Sequence, residues 1–238
     1  MKRISNIICR WMVCMLPLLA SCGPSTTSSE PGQSSADTTS PGFASPQDAA
    51  QQGKHDLLEI LRMHPPDFFG ISDTALLEKS APAAPVNHYV LDFNRLLQAD
   101  SVSNLMEFPK EEANAIVPLV ADGQIVTVIE LSHQNDQWKV AALAGKAITD
   151  DLQVVYQVVP RFSRDPQAAQ IALMEVPNLQ AKLFVLRVNQ AELVFTNYKG
   201  FSLREPVAVP TVMSVLHRDA LQFQREYGDQ LKKQRLTE

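Results

Sequence analysis

Five histidines, two adjacent carboxylate pairs and three cysteines are the residues of this chain with obvious catalytic, metal-binding or covalent potential. The histidines are His55, His64, His88, His133 and His217. No two stand at a ligand spacing such as His-Glu-x-x-His or His-x-His, which would put both imidazoles on one face of a helix or strand. Each is expected to be solvated or hydrogen-bonded, and His88, beside Tyr89, is the one to follow. Glu111-Glu112 and Asp150-Asp151 are sequence neighbours, whose side chains diverge, so they make poor acid–base pairs or cation cages. Asp150-Asp151 suits the start of a helix, where the macrodipole favours negative charge. There is no Gly-x-Ser-x-Gly elbow, phosphate loop or dinucleotide fingerprint. With only nine glycines, no cofactor and no metal are expected. Trp138 reads as a core residue, and Lys232, Lys233 and Arg235 suit a helix C-terminus better than a nucleic-acid patch.

Cys22 is different, because of what precedes it. Lys2, Arg3 and Arg10 form a positive leader, Trp11 to Leu19 a short apolar run, and Ala20-Ser21 a small-residue step into the cysteine. Nine apolar residues rise about 14 Å as a helix, against a hydrocarbon core of about 30 Å. The segment 1–21 is therefore expected to be a cleaved signal peptide. Leu19-Ala20-Ser21-Cys22 resembles the lipobox of bacterial lipoproteins. That resemblance implies cleavage before Cys22, a diacylglyceryl group on its thiol and acylation, such as palmitate, of its new amino group. Two or three acyl chains hold a protein stably where one does not. In a Gram-negative envelope, a non-acidic residue such as Gly23 after the cysteine resembles outer-membrane sorting rather than inner-membrane retention, which implies an anchored protein facing the periplasm or the cell surface.

The formal net charge of the whole chain is −5, and loss of Lys2, Arg3 and Arg10 makes the mature protein more acidic. Such a balance disfavours nucleic acid as a partner. Cys9 and Cys14 leave with the signal and Cys22 takes lipid. The folded part thus has no disulfide, no thiol nucleophile and no cysteine zinc site.

Residues 22–46 are expected to be the lipidated cysteine and a disordered tether. From Gly23 to Pro46, eighteen of 24 residues are Ser, Thr, Pro or Gly, and Phe43 is the only large apolar side chain. Such a segment buries too little to offset its ordering entropy. As a coil its ends lie about 25–30 Å apart. The folded region is expected over 47–238, with possible subdomains 54–145 and 146–238.

The elements expected in that region begin with a helix over 47–63, ended by Pro65-Pro66, and a short helix over 73–79 capped by Ser72 or Asp73. Alternation of Tyr89, Leu91 and Phe93 predicts a strand over 88–93. Asp122-Gly123 between two apolar runs predicts a two-residue hairpin pairing Ala121 with Gln124, Leu119 with Val126, Val117 with Val128 and Ile116 with Ile129. Pro118 lacks a donor, which predicts a free edge there. A turn containing His133 and centred on 134–136 leads to a third strand over 137–144. Ile148, Leu152, Val155 and Val159 predict a helix with Thr149 or Asp150 near its start. Strands over 171–176, 181–188 and 192–197 follow, the last two joined at Asn189-Gln190. Val212, Leu216, Phe223, Tyr227 and Leu231 form one stripe of a long final helix, with Pro210 in its first turn.

Grouped strands with tight turns give the α+β class, an antiparallel sheet with a three-stranded meander packed on helices. Val117-Pro118-Leu119, Asp122-Gly123 and Trp138 resemble cystatin-like and protease-propeptide-like modules, which implies a curled sheet packed on a helix. The function expected first is a non-enzymatic binding or assembly module anchored to the membrane through Cys22, with an envelope protein as partner. The alternatives are a small-molecule or lipid carrier with an apolar pocket under the final helix, and an envelope hydrolase with a dispersed site.

Overall fold

The computed structural model describes residues 41–64, 69–71, 73–99, 101–163 and 170–235. The signal segment, Cys22 and the tether up to Ser40 lie outside the described residues. The fold begins before Gln47. Phe43 and Trp138 exchange two backbone hydrogen bonds of 2.8 Å, so the last tether residues are already tied to the domain.

Helix α1 (Pro46–Met63) starts where expected. Ser45 accepts a hydrogen bond from the Asp48 N–H, and Pro46 occupies the first turn. Helix α2 (Thr74–Lys79) is capped by Asp73. Strands β1 (Ala81–Pro82) and β2 (Val86–Leu91) follow. The expected strand through Phe93 is corrected. Asp92 accepts hydrogen bonds from the N–H groups of Asn94 and Arg95 and opens a helix, α3 (Phe93–Gln98).

The meander is β3 (Lys110–Ala121), β4 (Gln124–Gln134) and β5 (Gln137–Leu143). Both central residues of each turn have positive φ: Asp122 and Gly123, then Asn135 and Asp136. His133 therefore lies at the end of β4 and not in the turn. Helix α4 (Lys146–Val158) continues into a 3-10 turn at 159–161. It starts earlier than expected, with Gly145 at the cap and Thr149 hydrogen-bonding back to the Gly145 carbonyl. Asp150 and Asp151 thus sit past its first turn. A second meander, β6 (Gln170–Val176), β7 (Ala181–Val188), β8 (Ala191–Phe195) and β9 (Val207–Ala208), leads into α5 (Val209–Arg235).

All nine strands join one sheet in the order β5-β4-β3-β2-β6-β7-β8-β9, with β1 paired to β3. The pairing is antiparallel except at one seam, where β2 runs parallel to β6. The described residues form one unit, to which the two halves bring β1–β5 and β6–β9. The class is α+β with helices on both faces. Ala115, Val117 and Leu119 pack with Leu57 and Leu61 of α1, whereas Ile116 packs with Leu152 and Val155 of α4. In the second half, Leu183 and Val185 pack with Val212 and Leu216 of α5, whereas Phe184 lies on the α4 side. Asn87 pairs with both Ala115 and Ala172, so α1 and α5 cover the same face.

Two expectations in the first hairpin are corrected. Ala121 pairs with Gln124 as predicted and Val120 with Ile125, but Leu119 then faces Thr127, Val117 faces Ile129 and Ile116 faces Glu130. Val126 is an extra residue, a β-bulge that moves Val128 to the α4 side and Ile129 to the α1 side. Pro118 is buried and not at a free edge. It pairs with Val128, and on its other flank its carbonyl accepts from the Ala83 N–H at 2.8 Å. Ala83 lies in the break between β1 and β2, and an interrupted ladder is where a strand proline is tolerated.

Gly53 shows how closely α1 lies on the sheet. A Cβ there would meet Ile129 Cγ2 at 2.8 Å and Leu143 Cδ2 at 3.3 Å. Gly53→Ala gains about 1 kcal/mol of helix propensity but overpacks a β-branched neighbour at a cost of about 1–3 kcal/mol. A net loss of stability is expected, read as a lower urea midpoint with unchanged slope.

Candidate functional site

The seam places His88 in a polar group. Its Nε2 lies 3.3 Å from Glu175 Oε2, and Lys182 Nζ lies 3.9 Å from Glu175 Oε1. The His88 ring is the largest influence on Glu175. With Lys182 it holds the carboxyl below its usual range, against the opposing effect of burial. Burial pushes Asp151 of α4 up, Lys182 pulls it down and Asp150 adds to the rise. Both ring nitrogens of His88 are buried, and neither makes a well-aligned hydrogen bond to a described residue. The Glu175 contact is thus an ion-pair approach with poor alignment. A ring whose nitrogens are closed to solvent cannot reach a substrate proton.

The other sequence candidates are dispersed. His55 is exposed on α1 beside Glu59, and the His64 N–H caps the end of that helix on Ile60. His217 of α5 lies 3.3 Å from the Leu97 carbonyl. Glu111 and Glu112 are exposed on β3, and Asp150 pairs with Lys146 at 2.8 Å. Lys232, Lys233 and Arg235 lie on the last turns of α5. Trp138 is half-buried rather than core. Its ring meets that of His133 at 4.6 Å, tilted by 38°, and both line a small recess of about 120 Å³ with Glu112 and Asn114. Among the described residues no group of three His, Cys, Asp or Glu can hold a metal ion. No described helix is long and apolar enough to cross a membrane.

The larger recess, about 220 Å³ and open, lies along α5 where the helix passes the 3-10 turns at 177–179 and 198–200. Asp219 forms its charged centre, with a side chain only 9% exposed. Asp219 Oδ2 accepts from the Tyr198 hydroxyl at 2.8 Å and lies 3.6 Å from Lys199 Nζ; Oδ1 accepts from Arg218 Nε at 3.1 Å. The turn that presents these partners is held from below. The Thr196 hydroxyl donates to the Lys182 carbonyl and accepts from the Tyr198 N–H. Lys199 and Gly200 both have positive φ, which turns the chain sharply and brings Lys199 over the Tyr198 ring.

The rest of the wall is aromatic. Phe93 of α3 meets Phe223 edge-on at 5.6 Å, and Phe223 meets Tyr227 at 5.1 Å. Phe223 is thereby fixed, and Tyr227, 45% exposed, forms the outer rim. Gln222 donates to Glu226 at 2.8 Å on the adjoining turn.

The ionisation of the recess is driven outward from neutrality. Burial and the Asp219 carboxylate raise Tyr198 well above a free phenol. Burial alone would raise Asp219, but the Tyr198 hydroxyl, Arg218 and Lys199 together bring it below the usual carboxylate value. A general acid or base works best with a pKa near the operating pH. Here the phenol keeps its proton and the carboxylate keeps its charge, so the recess is a fixed array of donors, acceptors and rings.

Sequence reasoning missed Tyr198 and Asp219 because they stand 21 residues apart in unrelated elements. One signal was present. Asp219 falls between Leu216 and Phe223, at three- and four-residue steps along the apolar stripe of α5, and an acid on such a stripe needs partners. The space under the proximal half of α5, where the carrier alternative would place its pocket, is filled by Val212, Met213, Leu216 and Ala220. Compared with family models, with known proteins and with solved structures, the chain matches none.

The seam cluster generates a pH test. Because the folded pKa of Glu175 is lowered, its ionisation stabilises the fold above the ordinary carboxylate range. That stabilisation is lost as pH falls through the folded pKa. Glu175→Gln is expected to be less stable than the native chain at pH 7, with the gap closing as pH is lowered through and below 4.5. Urea midpoints measured across that range check it, and a gap independent of pH would exclude the ionised carboxylate as the cause.

Proposed function

We propose that this chain is a lipid-anchored protein of the bacterial envelope whose folded region is a non-enzymatic binding or assembly module. In this reading residues 1–21 are removed, Cys22 carries the lipid, and the protein faces the periplasm or the cell surface from the outer membrane. The Leu19-Ala20-Ser21-Cys22 motif supports the anchor. The observation that carries the binding reading is the α5 recess. It gathers the Tyr198 hydroxyl, the Asp219 carboxylate, the Lys199 ammonium and the Phe223 and Tyr227 rings at one open surface, an arrangement that suits recognition. The interior packing under α5 supports a module that binds at its surface over one that carries a ligand inside. The ligand is another component of the envelope, with an envelope protein as the first partner to seek.

The first test is cell fractionation with in-cell crosslinking. The native chain is expected in the membrane fraction, labelled by a palmitate analogue, and Cys22→Ala in the soluble fraction without label. One dominant envelope component is expected to crosslink to the native chain and to be lost with Cys22→Ala. Equal membrane partition of both forms would remove the anchor, and no specific crosslink would remove the binding reading.

A further inference from the structure

We propose that the α5 recess binds one pyranose ring of a neutral oligosaccharide. The proposal rests on the binding reading above and names the ligand chemistry of the same site. Size comes first. A volume of about 220 Å³ is below the roughly 300–1,000 Å³ of pockets that enclose a drug-sized ligand. Being open, the recess suits a single ring of a chain that runs past it.

Charge narrows the class. Two cations, Lys199 and Arg218, meet two carboxylates, Asp219 and Glu226, at or beside the recess. The charges cancel, and Asp219 is already shared among Tyr198, Lys199 and Arg218. At the recess itself neither a polyanion nor a polycation finds an excess of fixed charge to pair with. What remains is a dense mixture of neutral donors and acceptors. The Tyr198 hydroxyl donates its hydrogen bond to Asp219 and keeps lone pairs to accept with. Asn178 and Gln222 offer amides, which both donate and accept. Lys199 has further N–H groups and is 57% exposed. A ligand that alternates hydroxyl donors and acceptors around a ring matches this set.

The aromatic wall supplies the remaining contact. A pyranose has an apolar C–H face as well as a hydroxyl rim, and a ring with a hydrophobic body and a polar tip complements both. Tyr227 presents such a ring at the open side, held in place by Phe223, which Phe93 fixes in turn. Apolar face against Tyr227 and hydroxyl rim toward Tyr198, Lys199, Asn178 and Gln222 is one pose that uses these groups.

The test is calorimetric titration of the purified full chain with cellohexaose, maltohexaose and chitohexaose. Saturable binding to at least one is expected. Tyr227→Ala is expected to weaken it by about tenfold, with the melting temperature kept because the ring is exposed. Asp219→Asn is expected to weaken it too, by releasing Tyr198 and Lys199. Affinity is expected to stay constant between about 0.05 and about 0.5 M salt, since exposed ionic contacts would be screened over that range. No saturable binding to any of the three sugars would overturn the proposal, as would unchanged affinity in Tyr227→Ala. A photo-crosslinker at Gln222 that captures polypeptide and no glycan would overturn it while leaving the binding reading intact. Sugar binding by a chain that shows no membrane anchoring would leave the recess assigned and remove the envelope reading.

Discussion

The parallel pairing of β2 with β6 is the constraint on which the rest of the molecule depends. Each half of the chain makes an antiparallel meander by itself, and neither meander is closed. Four residues of β2, Asn87 to Val90, pair with Ala172 to Glu175 and turn two sheets into one. A parallel pair cannot be joined by a tight turn. Here the connection runs through β3, β4, β5 and α4, and α4 comes to lie across the seam it helps to form. Its Leu152 and Val155 share one core with Val86 and Ile116 of the first half and with Leu173 and Phe184 of the second. The seam also forces His88 against Glu175. The candidate histidine of the sequence thus serves the junction.

The edges of this sheet are blunted. On β5, Phe43 covers the backbone at Trp138, and a bulge at Ala141 breaks the ladder with β4 between Val140 and Ala142. At the far end β9 contributes only two residues. On the adjoining strand, the Glu192 carboxylate pairs with Arg187 and takes the N–H groups of Leu105 and Met106. Short strands, bulges and covering segments are the usual devices against edge-to-edge association. Pairing of another strand onto these edges is thereby disfavoured.

Legibility followed locality. The hairpin turns at Asp122-Gly123 and Asn189-Gln190, the N-cap at Asp73, Pro210 in the first turn of α5 and the extents of β6 and β7 are set by residues within a few positions, and all were readable. Helix α3 was hidden by an accident of alternation, because Phe93 continued the rhythm of Tyr89 and Leu91 while Asp92 was capping a helix. The bulge at Val126 was invisible because register depends on which face each helix covers, and that is a tertiary fact. The seam was invisible for the same reason, since its strands lie some eighty residues apart. Of the recess, the stripe residues Phe223 and Tyr227 were legible as a helix face, and Asp219 left a trace as an acid on that otherwise apolar stripe.

That acid bears on what the recess is for. Taking a carboxylate out of water is costly, and its partners recover that cost only with good geometry. An apolar side chain of similar size at such a position is often neutral or stabilising. On stability alone, α5 had a simpler course available, continuing the Val212–Leu216 stripe until the helix left the sheet. Instead the stripe turns polar where the helix begins to part from the core, and the polar group is organised by three donors from two elements. Beside it the next stripe residues, Phe223 and Tyr227, pass from half-buried to exposed. Core packing accounts for Phe223 through Phe93, but it does not account for a tyrosine ring at the rim or for a carboxylate that fixes a hydroxyl and an ammonium on the open side. The proposed ligand, which would meet ring, hydroxyl and ammonium together, accounts for all three.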